Sequence, residues 1–136
     1  YNRVYFLDRV RDDMLRSERY GWPLALLVLS VDRFDEIRSK YGQIISDNVA
    51  VTVAGMIRKF ARNTDIVGRV DTARFTLLLP GTSGEGAETI AERLHNRITS
   101  HLFSTRSGEP IHVTCSIGVA EFHETFQEVD DRFVAE

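Results

Sequence analysis

The segment that most narrows the choice of fold is Leu24-Ala-Leu-Leu-Val-Leu-Ser-Val31, apolar at both alternating positions over the length of one strand. A strand exposed on one face alternates apolar with polar residues, so this one is predicted to be central in a sheet and covered on both sides. The longest apolar run, Trp22 to Leu29, falls well short of the roughly 20 residues that cross a bilayer. No secretory signal is visible, so no membrane contact is expected from this segment. With 136 residues, 43% of them hydrophobic, the chain is expected to bury one core as a single domain over residues 1–136.

Phe6, Val10 and Met14 mark a leading amphipathic helix that Gly21 and Pro23 end. Beyond the central strand, Phe34, Ile37 and Tyr41 indicate a short helix closed by Gly42, and a longer one is predicted to start at Ser46 or Asp47 and run to Phe60. Asp65–Val70 and Phe75–Pro80 read as a β-hairpin around Asp71-Thr-Ala-Arg74. A third long helix is expected from about Glu85 to Leu102, then a strand from Ile111 interrupted at Gly118. This order predicts an α+β fold, a mixed sheet with helices packed on it. Gln127–Glu136 starts a helix-like pattern that stops without a cap, which suggests a fragment of a larger multidomain protein.

Charge and cysteine usage limit the function classes. A net charge of -3 gives no global reason to bind nucleic acid. Of the 17 basic residues 15 are arginine, the side chain suited to bidentate recognition of phosphate and guanine edges. The lone Cys115 lies in an apolar run and reads as core packing in a reducing, cytoplasmic compartment. His95, His101, His112 and His123 show no metal-ligand spacing, so no metal or cofactor is expected.

Several stretches in register carry a family resemblance: Asn2-Arg3, Leu29-Ser-Val-Asp-Arg-Phe34, Tyr41-Gly42, Asp47, Arg69, Phe75-Thr-Leu-Leu-Leu-Pro80, Ala91-Glu-Arg93 and Val113-Thr-Cys-Ser-Ile-Gly-Val119. Together they resemble the GGDEF family of diguanylate cyclases over nearly the whole chain. Active members join two GTP molecules into cyclic di-GMP with magnesium held on carboxylates. The resemblance places the signature Gly-Gly-Asp/Glu-Glu-Phe on Asp71-Thr72-Ala73-Arg74-Phe75, which keeps only the phenylalanine. Ser30 stands at the family's first metal-ligating Asp, Ala73 at its hairpin ligand, and Arg74 at an acid. Arg38 replaces the Asn that reads the substrate guanine, while its partner Asp47 remains. The family's Lys- and Arg-bearing helix that holds GTP phosphates has no counterpart in these residues. The comparison implies a degenerate, catalytically silent domain with no metal site.

The plain residue readings stand beside it. Asp47, next to Ser46, reads as an N-terminal helix residue. Asp32 and Asp35 read as solvated turn acids; Asp32 shares a strand face with Ser30 but lies roughly 6.6 Å further along, too far to rebuild a two-metal site. Thr72, β-branched where the family has glycine, disfavours positive φ, so the turn is expected to take another shape.

Arg62-Asn-Thr-Asp65 matches the family's inhibitory Arg-x-x-Asp site for cyclic di-GMP, and Arg93 matches an additional arginine for that ligand. The resemblance therefore implies a cyclic di-GMP receptor. The plainer reading makes Arg62 a helix-end charge and Asp65 a cap. The rival at the level of function is a ligand-free module, a homodimerisation or docking surface that regulates an attached or separate partner such as a phosphodiesterase.

Overall fold

A computed structural model describes residues 3–105 and 107–122. The helix pattern expected at Gln127–Glu136, and His123, lie outside them. The element order is α1 (Arg3–Tyr20), β1 (Leu24–Val31), α2 (Phe34–Tyr41), α3 (Gln43–Phe60), β2 (Ile66–Asp71), β3 (Arg74–Pro80), α4 (Gly84–Ser100), β4 (Leu102–Phe103), β5 (Ile111–His112) and β6 (Cys115–Glu121).

The main sheet is four-stranded in the order β2-β3-β1-β6, with β4 and β5 forming a separate two-stranded ladder. β1 is central, and alternation splits it between two cores. Ala25, Leu27, Leu29 and Val31 pack with Val49, Val53, Ile57 of α3 and Leu94, Ile98 of α4. Leu24 and Leu26 pack with Phe6, Val10 and Met14 of α1. Burial of this kind contributes about 1.5–3 kcal/mol per large side chain, which is why a strand apolar at every position settles in the middle.

The expected mixed sheet is corrected: β1 pairs antiparallel with both β3 and β6, and β2 antiparallel with β3. The β1-α2-α3-β2 crossover does return the chain in the direction of β1. The tight hairpin then inserts β3 between β1 and β2, so no two parallel strands become hydrogen-bonded neighbours.

Three boundaries differ from expectation. α3 begins at Gln43, because Gly42 (φ 92°, ψ 171°) both ends α2, through its N–H to the Arg38 carbonyl, and precedes α3 directly. That backbone conformation is one glycine tolerates. α4 runs from Gly84 to Ser100 rather than to Leu102, with the Ser83 hydroxyl accepting the Gly86 N–H at its start. Gly118 does not interrupt β6; it pairs with Val28 inside an unbroken strand. The break between β5 and β6 falls at Val113–Thr114, where the Thr114 carbonyl accepts the Asp32 N–H.

Gly68 is the glycine on which packing depends. A Cβ there would lie 2.6 Å from Thr76 Oγ1 and 2.7 Å from Phe6 Cδ1, with α1 pressed against the hairpin. Gly68→Ala is expected to cost about 2 kcal/mol through overpacking, read as a drop of several degrees in thermal denaturation. An unchanged transition would show that α1 does not pack this closely.

Candidate functional site

The described residues place the candidate positions at opposite ends of the main sheet. At the C-terminal end of β1, a cleft of about 610 Å³ opens between that strand, α2 and the hairpin tip. Its walls include Ser30, Arg33, Arg38, Asp71, Ala73 and Arg74. Ser30 stands between Arg74 of β3 and Ser116 of β6 in the ladder.

The hairpin turn is closed by its own side chains. Asp71 accepts from the Ala73 N–H at 3.0 Å and from Arg74 Nε at 2.9 Å. Arg69 donates to the carbonyls of Asp71 (3.2 Å) and Thr72 (3.0 Å), and lies 5.4 Å over the Phe75 ring. The Ala73 carbonyl accepts the Val31 N–H at 2.9 Å, tying the tip to β1. Strands β2 and β3 meet around Thr72 and Ala73 alone, a shorter loop than the four residues expected. Neither has positive φ, in keeping with the side chains that replace glycine. Burial acts to raise the Asp71 carboxyl; the bonds from Arg74 and Ala73 and the Arg74 charge outweigh it and hold it below its ordinary value.

Asp32 is not a freely solvated acid. β1 ends at Val31, and the Asp32 carboxylate turns to β6, accepting the Thr114 and Ser116 hydroxyls at 2.8 Å each. Asp35 does face solvent, in the first turn of α2, with Arg38 at 3.6 Å. Nor is Asp47 a helix cap. It lies in the second turn of α3 and accepts from Gln43 Nε2 at 2.8 Å, because the helix starts four residues earlier. Arg38, over the Phe34 ring and beside Asp35, does not pair with it. Arg33, unremarked in the sequence, adopts the left-handed conformation (φ 53°) just before α2 and lines the cleft.

This donor set does not suit a divalent cation. Magnesium takes carboxylate and phosphate oxygens; Ser30 offers a neutral hydroxyl, Ala73 no side-chain donor, and Arg74 a positive charge paired to Asp71. Among the described residues no group of three or more His, Cys, Asp or Glu is placed to hold a metal. Cys115 is buried in the core, and burial together with the Asp32 charge pushes its thiol up to about 11, so it stays protonated and unreactive at neutral pH.

At the other end of the sheet, the loop between α3 and β2 brings Arg62 and Asp65 together. The Asp65 side chain is 1% exposed and that of Arg62 55%. Asp65 accepts the Arg62 backbone N–H at 2.8 Å, Arg62 Nε at 3.4 Å and Nη2 at 3.1 Å. Nη2 also donates to the Pro80 carbonyl (3.0 Å) and Thr82 Oγ1 (2.9 Å), so the guanidinium ties α3 to the loop before α4. Nη1 makes no hydrogen bond to the described residues and faces outward. Arg93 is exposed on α4, about two and a half turns or about 14 Å along the axis from its N-terminus. The structure thus joins Arg62 to Asp65 and sets Arg93 further along the neighbouring helix. Pro80 and Thr82 escaped the sequence reading, since nothing local marks a partner eighteen or twenty residues away.

The family model described as diguanylate cyclase, GGDEF domain, matches residues 1–133. The chain belongs to the GGDEF family. This GGDEF domain is 36% identical over 121 residues to the diguanylate cyclase DgcP of Pseudomonas aeruginosa, covering 89% of the chain and 18% of that protein. It is 28% identical over 122 residues to DosC of Escherichia coli, covering 90% of the chain and 26% of that protein. It therefore spans well under half of the curated relatives it matches. Among solved structures, the GGDEF domain of DgcB from Caulobacter crescentus in complex with c-di-GMP superposes with a TM-score of 0.89 at 25% identity, over 98% of this chain and 78% of that one. The diguanylate cyclase SiaD in complex with its activator SiaC, from Pseudomonas aeruginosa, gives 0.86 at 32% identity, over 98% and 52%. Relatives and neighbours place the GGDEF domain in cyclic di-GMP signalling, and no helix among its described residues is long and apolar enough to cross a membrane.

Proposed function

We propose that this GGDEF domain is catalytically silent and serves as a cyclic di-GMP receptor. The observation that carries the receptor reading is the Arg62 guanidinium, held from behind by a carboxylate buried to 1% exposure and presenting Nη1 to solvent. A guanidinium so fixed can donate to O6 and N7 of guanine with little ordering cost. In this reading Asp65 positions the arginine, its oxygens already occupied by Arg62, and Arg93 supplies a phosphate contact or a stacking plane. Silence follows from the cleft, where Ser30, Ala73 and the Arg74–Asp71 pair replace a carboxylate cation seat. The domain belongs, in this reading, to the cytoplasm of a larger signalling protein.

Isothermal titration with cyclic di-GMP tests the receptor reading. A dissociation constant below about 100 μM, near 5.5 kcal/mol of binding free energy, is expected. Arg62→Lys, which keeps a cation beside Asp65 but removes the planar fork, should weaken binding at least about tenfold. No heat and no thermal shift at about 100 μM ligand would overturn the receptor reading in favour of a ligand-free docking module.

A further inference from the structure

We propose that the stacked Tyr20–Trp22 pair at the turn between α1 and β1 is a base-stacking platform, taking the second guanine of the dinucleotide whose first guanine is read by Arg62. The inference rests on the receptor reading above. The two rings lie 4.9 Å apart at 28°, and each residue is more than half exposed, 54% for Tyr20 and 56% for Trp22. The Arg19 guanidinium sits 5.3 Å over the Tyr20 ring. An exposed tryptophan backed by a second ring offers a large flat surface that loses little freedom when covered.

The turn beneath the rings is fixed. Gly21, at φ +70°, donates its N–H to the Ser17 carbonyl at 2.8 Å, and the Ser17 hydroxyl donates to the Trp22 carbonyl. Next along the chain, the Pro23 carbonyl accepts the Gly81 N–H at 2.8 Å. The residues on either side of Gly81 are those that hold Arg62, through the Pro80 carbonyl and Thr82 Oγ1. One three-residue loop therefore anchors the aromatic turn and the guanidinium at the same end of the sheet.

The chemistry of the two elements is complementary. The guanidinium reads the acceptor edge of one purine, whereas a ring pair accepts the face of any base, and stacking of this kind strengthens single-base binding by roughly 5- to 100-fold. A ligand with two guanines joined by phosphates can use both, leaving Arg93 for a phosphate.

Trp22 is the chain's one tryptophan, so its fluorescence reports on the platform alone. Cyclic di-GMP should quench it along the isotherm that calorimetry gives. Trp22→Ala should weaken calorimetric binding about tenfold or more while leaving thermal stability nearly unchanged, because the ring lies outside both cores; Trp22→Phe should retain most of the affinity. Calorimetric binding with no quenching, and with equal affinity in Trp22→Ala, overturns the platform and leaves the receptor reading standing. Absence of calorimetric binding to the unmodified protein overturns the receptor reading, and the platform with it. Quenching that follows protein concentration instead of ligand overturns the platform in favour of a contact between copies.

Discussion

Supplied with GTP and Mg²⁺, this GGDEF domain should release no cyclic di-GMP, and Mg²⁺ alone should leave its melting temperature unchanged. A divalent cation on a reacting phosphate contributes several kcal/mol of transition-state stabilisation, so its loss lowers the rate at least about a thousandfold. Three side chains must change together to restore a seat. Ser30→Asp alone adds one carboxylate opposite Arg74 in the ladder, and a guanidinium about 4 Å from a unit positive charge opposes it by about 4 kcal/mol near a protein surface. Ser30→Asp with Ala73→Glu and Arg74→Glu removes the opposing cation and supplies the missing acids. This triple variant should gain a Mg²⁺-dependent rise in melting temperature that the single variant lacks. Chromatographic detection of cyclic di-GMP from the unmodified protein would overturn the silent reading.

What could be read from the chain divides by the range of the interaction. The central strand was legible because eight residues carry the signal for burial on both faces, and the hairpin because its two strands are adjacent in sequence. The start of α3 was not, because Ser46 and Asp47 have the side chains of helix caps while the feature that sets the boundary is the backbone of Gly42. Ser46 is instead fully buried and donates to the Gln43 carbonyl. Gly118 looked like a break because glycine usually signals one, yet nothing in β6 requires it to leave the ladder. At the cleft, residue identities announced lost charge, but the fate of Asp32 depended on Thr114 and Ser116, 82 and 84 residues away. The two-residue ladder of β4 and β5 is too short for any periodic pattern.

Asp65→Ala should destabilise the domain by about 3 kcal/mol, seen as a lower urea midpoint with unchanged slope. The substitution strips the Arg62 backbone N–H of its acceptor just beyond α3 and frees a guanidinium that had been held against the Pro80–Thr82 loop. Asp65→Asn keeps an oxygen for that N–H and should cost about half as much. Arg62→Ala is the harsher probe of ligand binding, because it leaves a carboxylate of 1% exposure with one hydrogen bond, and removing one partner of a buried pair costs about 3–5 kcal/mol. A loss of binding in that variant would confuse recognition with unfolding, which is why Arg62→Lys is the decisive substitution at the ligand-facing position. Because the two residues meet directly, their effects should not add. A double-mutant cycle on urea midpoints should give a coupling of about 1–3 kcal/mol, and a coupling near zero would mean that Asp65 acts as a backbone cap alone and does not hold the guanidinium in place.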